Sequence, residues 1–333
     1  MLIQGDATVI PLADDSVDLV VTSPPYFALR SYQDDGEHYD GQIGSEATPQ
    51  EFLEALWAAT VEMVRVVKPS GSIFVNLGDK YAGSNGQSGG PSQLNGATYS
   101  PDGTRTKAAK KGGYVPKTSV RSKSLMGLPW RYAIGCIDDL GLILRSEIVW
   151  SKPNGLPESV TDRVRRSHEQ WFHFTLEPRY FSAIDEIREA YTSPPAKAQK
   201  SKAAESGATL NPTLNPTHDL EHNPLGKLPG SVWSIPSEPL QVPDHLGVDH
   251  FAAFPQEWPR RLILGWSPQD GVVLDPFVGT GTVPMVARAL GRTGIGVDLS
   301  ADYLRLADWR VSESGHAAKT IRRTNQERQG SLL

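Results

Sequence analysis

The chain reads as an α/β protein, a doubly wound, mainly parallel sheet of seven strands with helices on both faces. Three observations predict it. Residues 17–21, Val17-Asp18-Leu19-Val20-Val21, form an apolar run of the kind a strand shows when both its faces are covered. Residues 272–298 read as strand, glycine-rich turn, helix and second strand, which is one half of a nucleotide-binding unit. Between these landmarks, short apolar runs alternate with stretches of helical period.

In chain order the expected strands are 2–6, 18–23, 72–77, 143–150, 170–176, 271–277 and 293–299. The expected helices are 49–67, 128–140, 256–265, 282–290 and 301–311. The first of these places Phe52, Leu56, Met63 and Val67 on one face. Two regions break the alternation. Residues 80–123 are rich in Gly, Ser, Asn and Lys and read as a long loop. Residues 193–249 are rich in Pro, Asn and Ser, and the tail 313–333 reads as disordered. His218 and His222 have i, i+4 spacing, but Asn215-Pro216 and Asn223-Pro224 oppose a helix there, so they read as surface histidines and no metal site is expected.

The first landmark ends in Thr22-Ser23-Pro24-Pro25-Tyr26. Ser23 and the Pro24 carbonyl offer acceptors for the two hydrogens of an amine. Pro24 and Pro25 remove two N–H donors and hold the backbone extended. Tyr26 offers a ring face for a planar base. The segment therefore suits modification of an amino group on a flat ring. In the second landmark, Asp275-Pro276-Phe277-Val278-Gly279-Thr280-Gly281-Thr282 carries two glycines that admit close approach of a ligand to the backbone. Asp298 ends the following strand, placed to accept from ribose hydroxyls. Pro284 stands where a dinucleotide fingerprint needs its third glycine, and no lysine makes a P-loop. An adenosine ligand without a pyrophosphate fits better, and S-adenosylmethionine is one.

With both landmarks read, the chain resembles the beta group of amino DNA methyltransferases, which modify cytosine N4 or adenine N6. The resemblance rests on the order of the two segments, catalytic before cofactor-binding, a circularly permuted arrangement. It also rests on Gln4-Gly5-Asp6-Ala7, the stretch 71–79, Leu128-Pro129-Trp130-Arg131, the stretch 148–154, His168-Glu169, Phe254-Pro255 and Tyr303. It implies S-adenosylmethionine as cofactor and double-stranded DNA as partner, and it suggests a cognate restriction endonuclease acting on the same site. It sets no oligomeric state. Residues 1–192 would be the catalytic half, 193–249 a target-recognition region or linker, and 250–312 the cofactor-binding half. The family's sheet is expected to carry one antiparallel strand at its edge, with the strands of Ser23 and Asp275 side by side at the centre.

By that resemblance Ser23, Pro24, Pro25 and Tyr26 are catalytic. Asp275, Phe277, Gly279, Thr280, Gly281, Thr282 and Asp298 bind cofactor, with Phe254 as a wall of the adenosine pocket and Asp6 as an adenine contact. Cytosine N4 is preferred over adenine N6 because Ser at position 23 resembles the N4 group. RNA or protein-glutamine methylation would place the cofactor strand first. A DNA-binding module with a dead cofactor site would have lost Ser23 or Gly281.

Bulk properties agree. The net charge is −5, but Arg105, Lys107, Lys110, Lys111, Lys117, Arg121, Lys123 and Arg131 fall in a stretch without acidic residues. This run is expected to contact phosphates, and Arg163, Arg165 and Arg166 form a second cluster. The single cysteine, Cys136, has no preceding proline, which opposes carbon-5 cytosine methylation, and it suits the cytoplasm. No apolar run is long enough to span a membrane, and the start of the chain is no signal peptide.

Overall fold

In chain order the elements are β1 (Leu2–Gln4), β2 (Val17–Thr22), a short hairpin of β3 (Gln33–Asp34) and β4 (Glu37–His38), α1 (Pro49–Val66), β5 (Val67–Leu77) and α2 (Leu128–Asp138). Then come β6 (Ile143–Ser151), β7 (His168–Thr175), β8 (Val232–Ser234), α3 (Glu257–Trp266), β9 (Val272–Asp275), α4 (Thr282–Ala289), β10 (Thr293–Asp298) and α5 (Ala301–Glu313). This computed structural model describes residues 1–28, 33–34, 37–38, 41–83, 120–155, 157–191, 223–238, 240, 242 and 253–313.

Eight strands form one sheet in the order β1-β10-β9-β2-β5-β7-β6-β8. Its neighbours are parallel except around β7, which runs antiparallel to both β5 and β6. All seven expected strands are present, and β8 is an eighth. The antiparallel strand lies inside the sheet and not at its edge. Its backbone pairs with β5 on one edge and β6 on the other, and Trp171, Phe172 and Phe174 on its two faces are buried in the two cores.

The sheet is covered on both faces, and strand residues alternate between the two cores. Val20, Ile73, Val75, Phe172 and Phe174 face one core with α1 and α2. Leu19, Val21, Phe74, Trp171 and Val273 face the other with α3 and α4. Helix α1 starts on a capping box, with Thr48 and Glu51 each satisfying the other's backbone N–H and Pro49 opening the first turn. Helix α2 lacks a side-chain cap of its own, since Gly127 precedes it. Asp79, just after β5, supplies one by accepting from the Gly127 and Leu128 N–H groups. The base of the expected 80–123 loop is therefore paired: Tyr81 bridges Leu125, and Ala82 is buried.

Strand β8 comes from the 193–249 segment. Trp233 anchors it, stacked on Trp258 of α3 at 4.9 Å between ring centroids. Trp258 also stacks on Trp171 at 4.9 Å, and Trp150 meets it edge-on at 5.8 Å. One indole thus joins β6, β7 and β8 to α3. Trp258→Ala should cost about 3–5 kcal/mol of stability, measured by urea unfolding. A loss below about 1 kcal/mol would mean that this stack is not what holds the edge of the sheet.

Candidate active site

From β9 the chain passes through α4 to β10, on one side. From β2 it passes through α1 to β5, on the other side. The junction of β9 and β2 is therefore the topological switch point, where open α/β sheets leave a crevice at the carboxyl ends of their strands. Both sequence landmarks leave the sheet there.

A cavity occupies this position. Its lining includes Gly5, Asp6, Ser23, Pro25, Phe254, Phe277, Gly279, Thr280, Thr282, Asp298 and Tyr303. Nine expected site residues are thus brought together from the two ends of the chain. Gln42 and Ile43, from the segment before α1, complete one wall without having been expected. Pro24, Tyr26, Asp275 and Gly281 are not in the lining.

Asp275 is buried beneath the cavity. Its Oδ1 accepts from the Thr22 hydroxyl at 2.7 Å and from the Phe277 N–H at 3.1 Å. It ties the two central strands together where their loops diverge. A strand-end carboxylate facing a neighbouring strand's hydroxyl is held in the sheet. Burial pushes the Asp275 carboxyl up to about 7; the Thr22 and Phe277 bonds pull it down, and the charge of Asp298 adds to the rise.

Asp298 closes β10 and takes the Gly279 N–H at 2.8 Å and the Ser300 N–H at 2.9 Å. Gly279 and Gly281 have φ of 46° and 76°. A Cβ on Gly281 would stand 2.9 Å from the Ala307 Cβ, so the turn lies directly against α5. Behind it, the buried Arg310 of α5 donates to the Thr280 and Thr282 hydroxyls, each at 2.7 Å. Burial lowers the Arg310 pKa to about 10, opposed by Glu238. Arg310 escaped the sequence reading, because nothing local links a residue in the last helix to this turn. Phe254 lines the cavity and also packs edge-on against Trp171 at 5.7 Å. Asp6 lines it too, but its Oδ1 is engaged by the Thr8 N–H and hydroxyl, as in an Asx turn.

On the other side of the cavity a polar network fixes the Ser23–Tyr26 segment. Ser23 Oγ donates to Asn76 Oδ1 at 3.2 Å, and Tyr26 Oη reaches Asn76 Oδ1 at 2.8 Å and Glu169 Oε2 at 2.9 Å. Asn76 Nδ2 donates to the Gln170 carbonyl at 3.0 Å. Glu169 is in turn paired with Lys152, whose ammonium lies over the Trp150 ring. The Tyr26 ring packs on Gly78, where a Cβ would come within 2.6 Å of Tyr26 Cε2. Asn76, Gly78, Lys152 and Glu169 all lie in motif stretches, yet no chemistry was assigned to them. Their meeting depends on strand register.

The basic residues are only partly in view. Arg105, Lys107, Lys110, Lys111 and Lys117 lie outside the described residues, as do His218 and His222. Arg121 is exposed. Lys123 is exposed and pairs with Asp162 at 2.8 Å, a surface contact of small energy. Arg163 lies over the Tyr81 ring at 3.9 Å and pairs with Glu158. Arg166 sits 3.9 Å from Asp79. The loop between β6 and β7 is thereby tied to the exit of β5.

A switch-point cavity with a glycine turn, a strand-end carboxylate and aromatic walls fits S-adenosylmethionine. With the Ser-Pro-Pro-Tyr loop on its rim, it defines an S-adenosylmethionine-dependent methyltransferase. The N6 and N4 DNA methylase family matches residues 17–308, and the chain belongs to it. The chain is 34% identical to the type II methyltransferase M.XycI of Xanthomonas campestris pv. cyanopsidis over 325 residues, covering 96% of this chain and 90% of that one. It is 32% identical to M.SmaI of Serratia marcescens over 314 residues, covering 93% and 90%. Among solved structures, the PvuII DNA methyltransferase, named as cytosine-N4-specific, superposes with a TM-score of 0.61 at 17% identity, covering 98% of this chain and 91% of that one. TTHA0409 of Thermus thermophilus, in complex with S-adenosyl-L-methionine, gives 0.52 at 22% identity, covering 94% and 93%. The protein is a site-specific amino DNA methyltransferase that uses S-adenosylmethionine. Among the described residues no helix is long and apolar enough to cross a membrane.

Two expectations follow. The folded Asp275 carboxyl holds its proton up to about pH 7, whereas in the unfolded chain it releases it near 3.8. Between these values the folded state binds more protons, so the contribution to stability is full below pH 4 and is lost as pH rises to about 7. Without cofactor, Asp275→Asn should remove on the order of 2 kcal/mol of the fall in stability between about pH 5 and pH 8, followed by urea unfolding. An identical pH dependence in parent and variant would contradict it. Separately, Gly78→Ala should displace Tyr26 and slow methyl transfer about tenfold or more with the fold retained. Unimpaired transfer would show that the ring's seat is not needed.

Proposed function

We propose that the enzyme transfers a methyl group to the N4 amine of a cytosine flipped out of duplex DNA. The observation that carries this reading is the Ser23 hydroxyl on the cavity rim, its proton directed at Asn76 and its lone pairs left as acceptors. Serine at this position is the pattern of the N4 group, and the named specificity of the PvuII enzyme supports it. The modification would take place in the cytoplasm, with a restriction endonuclease of the same site as the protein's counterpart. Type II relatives support that pairing.

The lone pair of an exocyclic amine is delocalised into its ring, so it is a poor nucleophile. Ser23 Oγ and the Pro24 carbonyl accept its two N–H bonds and favour a tetrahedral nitrogen. Tyr26 and the paired prolines hold the ring, which turns binding energy into alignment. Phe254, Phe277 and Asp298 hold the adenosine end, and the Gly279–Gly281 turn admits the rest. When bound, S-adenosylmethionine supplies the electrophilic methyl group. The new N–C bond leaves the nitrogen positively charged, and it then releases one proton to solvent. Neither a cysteine nucleophile nor a metal enters this scheme. The target base is out of reach inside a duplex, and extruding it costs a few kcal/mol. Arg121 and the run from Arg105 to Lys123 would bind the flanking phosphates.

The test is to express the chain in a host free of DNA methylation and identify modified nucleosides by mass spectrometry, with long-read sequencing to map the site. N4-methylcytosine is expected; N6-methyladenine would overturn the base assignment. Ser23→Ala should lower kcat on the order of 100-fold with little change in KM. Full activity in that variant would reject the role given to Ser23.

A further inference from the structure

We propose that Asn76 is a positioning residue that commits Ser23 to accepting hydrogen bonds, and so selects bases with an amine over bases with a keto oxygen at the same ring position. This rests on the reading of Ser23 as the amine-binding group.

Asn76 is buried on β5, paired in register with Trp171 of β7. Its Nδ2 donates to the Gln170 carbonyl at 3.0 Å. A carbonyl only accepts, so this bond decides which way the amide faces. Oδ1 is left pointing at the catalytic segment, where Ser23 Oγ lies at 3.2 Å and Tyr26 Oη at 2.8 Å. A serine hydroxyl has a single proton. Given to Asn76, that proton is withdrawn from the cavity, and what Ser23 presents to a bound base is lone pairs alone. A cytosine amine meets an acceptor. The O4 of uracil meets another acceptor, and a polar contact left unmatched in a closed site is costly. Without Asn76 Oδ1 the hydroxyl turns freely and can donate to a keto oxygen as readily as it accepts from an amine. Base chemistry is thus set one residue behind the surface that touches the base.

The experiment measures equilibrium binding, with S-adenosylhomocysteine present, to duplexes carrying the mapped site with cytosine or uracil at the target position. Each protein is compared on the same two duplexes, so the differing cost of extruding the two bases cancels between variants. The parent should prefer cytosine, and in Asn76→Ala that preference should shrink about tenfold. Asn76→Asp, which still accepts from both hydroxyls, should keep it. In a Ser23→Ala background, adding Asn76→Ala should change the preference no further. An unchanged preference in Asn76→Ala would overturn the proposal, and so would a shift that persists without the Ser23 hydroxyl. If Asn76→Ala does not fold, Asn76→Gln displaces the amide oxygen and should lose the same preference. If the product is N6-methyladenine, hypoxanthine against adenine replaces uracil against cytosine. A wrong base assignment and a wrong role for Asn76 therefore give different results.

Discussion

The hydrogen bond from Thr22 to Asp275 spans 253 residues of sequence and lies at the middle of the sheet. It joins the last residue of β2 to the last residue of β9, and beyond it the two strands release the loops that make the site. The two landmark loops start from this junction. Ser23 follows Thr22 directly, and Phe277 is held by the same carboxylate oxygen. Burial pushes this carboxyl up to about 7. It makes chemical sense as a link whose geometry allows little slack.

Around that junction the chain builds rigidity from opposite directions. Arg310 reaches from the last helix to pin the two threonines flanking Gly281. Asn76 reaches from β5 to hold Ser23 and Tyr26, with Glu169 and Lys152 behind them. The two supports belong to different halves of the sheet and share no residue. The glycine turn and the Ser23–Tyr26 loop are thus each braced by side chains of their own, and the central strands relate one to the other. Preorganisation of this kind is what transfer to a weak nucleophile requires.

The sheet and its helices were legible because each strand that the sheet buries on both faces leaves an apolar run, and each helix leaves a 3.6-residue period. Strand β8 was not legible. It is three residues long, set among prolines, and its reason for existing is Trp233 finding Trp258. The cavity lining was legible where a motif carried it, as with Ser23, Gly279 and Asp298. The bond of Asp275 to Thr22 was not legible, because it depends on which strand stands beside it. Asn76 lies in a motif stretch that says nothing of its partners, and Arg310 carries no local signal. An asparagine inside an apolar strand and an arginine in a terminal helix gain meaning only from register and packing.

The most direct test of the central junction is a single-turnover rate of methyl transfer for Thr22→Val, with cofactor and DNA both saturating. The side chain is isosteric, lies outside the cavity lining and loses only the hydroxyl that Asp275 receives. If the junction sets the relation between the two loops, transfer should slow by about tenfold to a hundredfold once binding no longer limits it. A variant that folds, saturates with both ligands and transfers at the parent rate would contradict the account.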